Sequence, residues 1–231
     1  MFTAAEWDIV TLSLKVSLVA IAATLPMAFA LAWLLARRRF PGMVLVDALV
    51  HLPLVLPPVV TGYLLLLAFG PQGPIGSLFK RLFGIIFSFH WTGAALAAAV
   101  MALPLMVRAI RLSIDAVDPR LESAAQTLGA GRWDVFRRIT LPLAAPGVFA
   151  ALVLGFARSI GEFGATITFA SNIPGETRTL PLGIYTALQV PGAETEVARL
   201  AMISIALSLA ALVASEWLVR RGTNGKGRPI L

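Results

Sequence analysis

The sequence predicts an all-α, multi-pass membrane protein, and two observations support this fold class. First, 58% of the 231 residues are hydrophobic, only 13% are charged, and the mean hydropathy is +0.85. A soluble domain carries about 25% charged residues. Second, five stretches of the chain are apolar and long enough to cross a membrane as helices, which takes roughly 20 residues. We therefore expect five transmembrane helices.

An arginine triplet separates the first two predicted spans. The first span runs from about residue 9 to 36, and Arg37, Arg38 and Arg39 follow it at once. Basic residues beside a span are retained on the cytoplasmic side, so the N-terminus should lie outside. The second span runs from about residue 43 to 70.

Prolines interrupt the second predicted span within the run HLPLVLPPVVTG. Pro53, Pro57 and Pro58 remove backbone donors and kink a helix, and in lipid the freed carbonyls need partners from protein or water. The break should therefore face protein or a cavity. We predict Pro57, Pro58 and Thr61 as candidate pathway or gate residues, and a simple packing kink is the alternative.

Three further spans are predicted in the second half of the chain, at residues 91–114, 143–170 and 197–219. Residues 71–88 begin with a Gly/Pro-rich turn and continue as a short amphipathic segment on the outer side. The apolar segment 180–190 is too short to cross a membrane, so we expect an interfacial or re-entrant helix there.

The distribution of basic residues tests the orientation that five crossings imply, with the N-terminus outside and the C-terminus inside. The segments 37–39, 108–138 and 220–231, which this orientation assigns to the cytoplasm, hold thirteen Lys and Arg, whereas the outer segments hold four. This asymmetry follows the positive-inside rule, so the net charge of +7 does not indicate nucleic-acid binding. We predict one membrane domain at residues 9–219, and 220–231 as a flexible cytoplasmic tail.

The loop between spans three and four, residues 115–142, is a polar island in this apolar chain. Asp118 suits an N-cap and Pro119 the first helical position, and Gly129 and Gly131 are expected to end the helix. A helix of about ten residues is marginal alone. It needs either the protein's own membrane face or a partner's groove, and the spacing leaves both open. Its apolar stripe follows i, i+3, i+4, i+7 spacing and consists of Leu121, Ala124, Ala125 and Leu128.

This loop resembles the cytoplasmic signature of the permease subunits of type I, binding-protein-dependent ABC importers. The signature is Glu-Ala-Ala, three residues, Gly, nine residues, then Ile-x-Leu-Pro. The first position is Ser123 here, and the glutamate stands one residue earlier, at Glu122, which weakens the case for any salt bridge made by the family glutamate. The matching positions are Ala124, Ala125, Gly129, Ile139, Leu141 and Pro142.

A narrower resemblance covers nearly the whole chain. The runs GEFGATITFASNIPGETRTLPLGIYTALQVPGAE and HLPLVLPPVVTGYLLL are similar to those of molybdate importer permeases, with sulfate/thiosulfate permeases as the close alternative. The resemblance implies a second copy of this chain, a dimer of cytoplasmic ATP-binding subunits and a periplasmic molybdate-binding protein. It also places the chain in the cytoplasmic (inner) membrane. The chain would bind no cofactor and be no enzyme, because the partner uses ATP and Mg and no GxxxxGK[ST] run is present.

The resemblance further implies that the loop helix is a coupling helix seated in a cleft of the ATP-binding subunit. We expect the surface formed by Ala124, Ala125 and Gly129 to matter more than a charge at the first signature position. The predicted coupling residues are Leu121, Glu122, Ser123, Ala124, Ala125, Leu128, Gly129, Ile139, Leu141 and Pro142.

Two charges stand inside the predicted fourth span. Arg158 and Glu162 are spaced i, i+4, and charges in a membrane are costly unless they are paired. The pair either contacts a passing dianion or locks this span to its neighbours. Hydroxyl and amide groups that could contact a tetrahedral oxyanion, or simply pack between helices, belong to Thr166, Thr168, Ser171 and Asn172.

Other function classes lack their motifs in this sequence. His51 and His90 lie far apart in the sequence, so we expect no metal site. A membrane enzyme would need a run such as HExxH or GxSxG, and neither occurs. A channel or secondary transporter without an ATPase stays a rival, although two repeated halves with broken helices are not evident.

Overall fold

The computed structural model describes residues 3–224, with side chains up to residue 214. This part of the chain is helical and contains no strand. The helices are α1 (Ala4–Arg37), α2 (Met43–Val55), α3 (Pro58–Phe69), α4 (Pro74–Phe83), α5 (Trp91–Asp115), α6 (Pro119–Thr127), α7 (Arg132–Val135), α8 (Leu141–Ile160), α9 (Gly164–Phe169), α10 (Leu180–Ala187) and α11 (Glu194–Asn224), with a π-helical turn at Phe136–Thr140.

Four helical segments in the described residues are long and apolar enough to cross a membrane. They are α1, α5, the run Arg132–Ile160 that joins α7 to α8, and the segment Glu194–Ala214 of α11. A fifth crossing is counted if α2 and α3 act together. The all-α membrane fold is therefore confirmed, with four to five spans. α11 extends to Asn224, into the predicted tail, and residues 225–231 lie outside the described part of the chain.

The second predicted span is not one helix, since α2 and α3 are bent by 118°. Leu56, between them, adopts an extended conformation with φ −70° and ψ 143°. A residue before proline is driven out of the helical region, and here Pro57 and Pro58 follow in succession. The prolines therefore break the second predicted span as expected, and residues 43–70 form two helices instead of one kinked helix.

The fourth predicted span, residues 143–170, is wrong at both ends. The helical run begins earlier, at Arg132, and α8 ends at Ile160. Gly161 ends α8, and the short helix α9 starts only at Gly164. Hydropathy measures side-chain transfer and does not register a change in backbone direction, so it merged two helices into one span.

The core lies where α1, α5 and α8 pack together. Small side chains line these contacts, including the fully buried Ala32, Ala102 and Ala144, and small residues let membrane helices approach closely. Gly155 on α8 is one such contact, because a Cβ there would lie 2.7 Å from the sulfur of Met106 on α5.

Candidate functional site

The loop helix α6 begins and ends as its sequence predicts. Asp118 is the N-cap, its carboxylate accepts the backbone N–H of Arg120 at 2.8 Å, and Pro119 is the first helical residue. Gly129 has φ +87°, and the N–H of Ala130 bonds the carbonyl of Ala125 at 3.0 Å. This arrangement is a Schellman motif, for which glycine is preferred because of its positive φ.

The predicted apolar stripe of α6 faces away from the rest of the chain. Leu128 is 88% exposed and Leu121 is 49% exposed, and no residue of α6 is buried. Ala124 is also exposed and Ala125 is half-buried. The protein's own membrane face, one of the two surfaces left open by the sequence, does not cover this stripe. The Ser123 hydroxyl lies elsewhere and donates to the Pro119 carbonyl at 3.0 Å.

Glu122 turns the other way and binds two distant parts of the chain. Its Oε1 accepts from Nη2 of Arg37 at 2.7 Å and from the Thr140 hydroxyl at 2.7 Å. Arg37 ends α1 and also donates to the carbonyl of Ile114 near the end of α5, at 3.4 Å. Sequence reasoning missed this contact, because no spacing rule links residues that lie 85 positions apart.

The second half of the signature forms a π-helical turn and the start of α8. Ile139 lies in the turn, and Leu141 and Pro142 are the first residues of α8. The N–H of Leu141 bonds the carbonyl of Phe136, five residues back. A proline cannot donate, and its ring clashes with the carbonyl four residues earlier. The extra residue of the π turn accommodates Pro142 without breaking the helix.

The two halves of the signature meet around one shallow cavity of about 300 Å³. Four of the ten predicted coupling residues line it, namely Ala125, Leu128, Gly129 and Ile139. Asp134 and Arg138 supply charge at its edge, 3.7 Å apart. The apolar stripe of α6 and this adjoining cavity together form one open surface, which we call the loop-helix surface. Its residues are Leu121, Ala124, Ala125, Leu128, Gly129 and Ile139.

The predicted pairing of Arg158 with Glu162 is confirmed. Nη1 of Arg158 lies 2.5 Å from Oε2 of Glu162, and the other carboxylate oxygen accepts the N–H of Ala165 at 2.8 Å. Glu162 is only 3% exposed. The carboxylate therefore sits in the break after α8 and anchors the first turn of α9.

The break in the second predicted span packs against this same region. A Cβ on Gly62 would lie 2.7 Å from the carbonyl oxygen of Ala165, and one on Gly164 would lie 2.7 Å from Cβ of Pro58. The backbones of α3 and α9 are thus as close as glycine allows. Two groups of predicted pathway residues, from the proline break and from the Glu162 region, are brought together here.

The predicted hydroxyl residues of this contact differ in their bonding. Thr61 is 5% exposed, and its hydroxyl has no hydrogen-bond partner among the described residues. Thr166 is 2% exposed. The Thr168 hydroxyl donates to the carbonyl of Gly164 at 2.9 Å, within its own helix. Pro57 precedes the first residue of α3 and is exposed.

Ser171 and Asn172 belong to a loop whose polar groups bond one another. Asn172 donates to the Thr186 hydroxyl at 2.7 Å and accepts from Nε of Arg178 at 2.9 Å. Ser171 has φ +68°, and its carbonyl accepts the Thr177 hydroxyl at 3.2 Å. The side chain of Asn172 is therefore already used to hold the loop.

A cluster near the start of α5 was not foreseen from the sequence. Oε1 of Glu176 lies 3.0 Å from Nδ1 of His90 and accepts the N–H of Trp91 at 3.3 Å. The bond from His90, followed by that from Trp91, lowers the pKa of Glu176. Nζ of Lys15 lies 3.7 Å from the centre of the Trp91 ring. Among the described residues no group of three His, Asp or Glu side chains could hold a metal ion.

Comparison with known proteins identifies the class of this chain. The model of the family described as "Binding-protein-dependent transport system inner membrane component" matches residues 25–223. The chain therefore belongs to this family and is a multi-pass protein of the inner membrane. Family members are membrane components of transport systems, so the prediction that the chain is not itself an enzyme is confirmed.

Individual relatives are similar over most of the chain. It is 59% identical to "Molybdenum transport system permease protein ModB" of Escherichia coli (strain K12), over 99% of this chain and 100% of that protein. The protein of the same name from Haemophilus influenzae is 57% identical, over 94% of both chains. "Sulfate transport system permease protein CysT" of Salmonella typhimurium is 40% identical, over 82% of this chain and 71% of that protein.

Among solved structures, an ABC transporter involved in the import of the acidic polysaccharide alginate has the same fold. The TM-score is 0.73, with 20% identity, over 95% of this chain and 80% of that chain. At this identity the likeness supports the fold alone.

Proposed function

We propose that this chain is the membrane-spanning permease subunit of an ATP-driven importer that moves molybdate across the inner membrane. The observation that carries the proposal is the 59% identity to a molybdenum permease over the full length of both chains. The sulfate permease is less similar, at 40% identity over a shorter region. Sulfate or thiosulfate is therefore the second candidate substrate.

We further propose five crossings, with the N-terminus outside and the C-terminus inside. α1 and α5 run parallel, because Lys15 lies at Trp91 and Arg37 reaches Ile114. The chain between two parallel spans has to return across the membrane, so the bent α2–α3 segment counts as a crossing. α8 runs antiparallel to α5, because the Ser113 hydroxyl near the end of α5 bonds a carbonyl near the start of α8.

The cytoplasmic side is the one that carries Arg37 and α6. Thirteen of the Lys and Arg residues fall in segments that this orientation assigns to the inside. The Arg37–Glu122 bond keeps α6 beside the arginine triplet, and Arg111 of α5 bonds Asp47 of α2 at 3.1 Å. These long-range contacts support the assignment of the three inner ends to one side.

The loop-helix surface is the proposed docking site for a cytoplasmic ATP-binding subunit. Its support is the exposure of Leu121 and Leu128, since apolar residues that are exposed together in water mark interaction sites. ATP and Mg act in that partner. When ATP closes the partner's dimer, α6 moves with it, and ATP can shift the permease only as far as it binds the two states differently.

Glu122 is proposed to transmit this motion and not to contact the partner. Its carboxylate holds the ends of α1 and the π turn through Arg37 and Thr140, so displacement of α6 pulls on both helices. The full assembly would contain two copies of this chain, two ATP-binding subunits and a periplasmic binding protein that delivers the oxyanion.

The pathway is proposed to pass the close contact between α3 and α9. Two buried threonines support this position. The Thr61 hydroxyl lacks a partner among the described residues, and Thr166 directly follows Ala165 on α9. Arg158 is held by Glu162 at 2.5 Å. A dianion would have to compete with that carboxylate, so locking of α9 is the favoured role of the pair and contact with the ion is second.

Uptake of radiolabelled molybdate tests the proposed function, in cells that express this chain with the ATP-binding subunit and the periplasmic binding protein of the proposed importer. We expect uptake that needs ATP and survives a large excess of sulfate. Equal competition by sulfate would move the assignment to the second candidate. Uptake that continues without the ATP-binding subunit would instead support a secondary transporter or channel.

A further inference from the structure

A groove lined with aromatic side chains runs between α1 and α7. It has a volume of about 760 Å³. The rings of Trp33 and Phe136 meet edge to face at 4.9 Å, and Trp133 stacks on Phe136 at 5.2 Å. Phe29 extends the same wall along α1, 6.0 Å from Phe136. We call this the aromatic groove.

Two arginines line the aromatic groove without a partner among the residues whose side chains the structure describes. Arg38 and Arg132 both line it, and among the residues whose side chains are described neither forms an ion pair or a side-chain hydrogen bond. The acidic residues nearby are already engaged, Glu122 with Arg37 and Asp134 with Arg138. The groove thus combines an apolar wall with uncompensated positive charge.

We propose that the aromatic groove binds an anionic phospholipid, with the phosphate between Arg38 and Arg132 and an acyl chain along the aromatic wall. A guanidinium group pairs with phosphate through two parallel hydrogen bonds. Basic pockets between membrane helices bind the head groups of acidic lipids, and tryptophan is enriched where a span meets the interface. The inference does not depend on which oxyanion the protein transports.

The depth of the groove favours a lipid over a protein partner. Phe29 lies nine residues before Arg38 in a span that crosses the membrane, which is about 13 Å along the helix axis. An acyl chain reaches that depth, whereas a water-soluble subunit does not. The proposed docking site for the ATP-binding subunit also uses other residues, since Leu121 and Leu128 do not line this groove.

Lipid retention by the purified complex of permease and ATP-binding subunits tests the proposal. After exchange into equal amounts of dioleoylphosphatidylglycerol and dioleoylphosphatidylcholine, native mass spectrometry would count each lipid bound. We expect the wild type to prefer phosphatidylglycerol. In Arg38→Gln/Arg132→Gln the preference should fall about twenty-five-fold, because each arginine near a membrane surface contributes roughly a factor of five.

The matched control is Arg39→Gln/Arg108→Gln, which removes the same charge from two exposed arginines outside the groove. It should keep the wild-type lipid preference. The proposal is overturned if the groove variant retains phosphatidylglycerol as the wild type does, or if the control loses it equally. Recovery of the intact complex from both variants would show that the change is in lipid binding and not in assembly.

Photo-cross-linking identifies the occupant directly and needs no charge removal. Trp133 is 69% exposed, so a benzoylphenylalanine at this position should leave the fold intact. In vesicles that contain phosphatidylglycerol, we expect an adduct with the mass of one lipid. A cross-link to the ATP-binding subunit, or to a second copy of this chain, would overturn the proposal in favour of a protein partner.

Discussion

Two arginine–glutamate pairs stabilise the two regions on which the proposed function rests. The pairs differ in the sequence separation of their residues and in their exposure to solvent. Arg158 and Glu162 lie four residues apart, and the Glu162 side chain is 2% exposed. Arg37 and Glu122 lie 85 residues apart, and both side chains are about one-fifth exposed. A local, buried pair maintains the shape of a break, whereas a long-range, half-buried pair joins the ends of separate helices.

The energetic consequence follows from solvent access. Removing one partner of a buried ion pair leaves an unpaired charge in a medium of low polarity and costs several kcal/mol. A pair near the surface is screened by water and contributes far less. We therefore expect changes in the Glu162 region to act on stability, and changes in the α6 region to act on coupling.

The largest effect is expected for Glu162→Ala. It leaves Arg158 and the N–H of Ala165 without their acceptor, and breaking such a buried pair costs about 3 kcal/mol. Thermal unfolding of the purified complex measures the loss. Glu194→Ala, at an exposed position, is the control and should be neutral.

The double variant Arg158→Ala/Glu162→Ala sharpens this result. Because it also removes the guanidinium group that Glu162→Ala leaves unpaired, it should retain more stability and more transport than Glu162→Ala. Strictly additive losses in the double-mutant cycle would show that the two groups do not act as a pair.

Ala125→Arg should come second, because it places a charge on the loop-helix surface. We expect substrate-stimulated ATP hydrolysis to be abolished while the permease is still inserted into the membrane, and the same for Gly129→Asp. Gln126→Arg adds the same charge to the same helix off the apolar stripe and should keep coupling. Retained stimulation in Ala125→Arg, measured in proteoliposomes, would contradict docking at this surface.

A smaller effect is expected for Glu122→Ala, which removes the link from α6 to α1 and the π turn. The ATP hydrolysed per molybdate transported should rise about fivefold, because a partly exposed ion pair contributes about 1 kcal/mol. Arg37→Ala should have a similar effect, and the double variant should be little worse than either. Unchanged coupling in all three variants would remove Glu122 from the transmission route.

The smallest effect concerns Glu176, in the loop that contacts the start of α5. Hydrogen bonds from His90 and Trp91 lower its pKa from 4.5, and Lys15 also faces it. A lowered pKa in the folded state stabilises the protein above pH 4.5, and this stabilisation is lost as the pH falls through the lowered value. The protection of residues 171–178 against hydrogen exchange, relative to the intrinsic exchange rate at each pH, should therefore fall in acid.

The control for this prediction is Glu176→Gln, which cannot titrate. Protection of residues 171–178 in this variant should be lower at neutral pH and should change less in acid than in the wild type. An identical pH dependence in both proteins would show that another group is responsible.

Much of the fold could be predicted from the sequence, because membrane insertion depends on local hydropathy. The spans in α1, α5 and α11 were located to within a few residues, and the start and end of α6 followed from Asp118 and Gly129. Hydropathy does not detect a change of helix direction, so the break at residues 161–163 was absorbed into the fourth predicted span. The break before α3 was predicted because Pro57 and Pro58 mark it in the sequence.

The candidate site was predicted less completely. The i, i+4 pair of Arg158 and Glu162 was found because helix geometry brings such residues together. Its position could also have indicated the end of α8, since a carboxylate is more readily accommodated in a helix break, where backbone N–H groups are free. Nothing local indicated that Glu122 would bond Arg37, or that Arg38 and Arg132 would line one groove.

By itself, therefore, the sequence determined the membrane class, the apolar spans and the capped loop helix, because each depends on residues within a turn or two of one another. Tertiary structure alone decided which surfaces of that helix remain open and which bond the spans. The reason is the close packing of α1, α5 and α8 through small residues such as Ala32 and Gly155, which sets the positions of the ends of these three helices and of the charges on them.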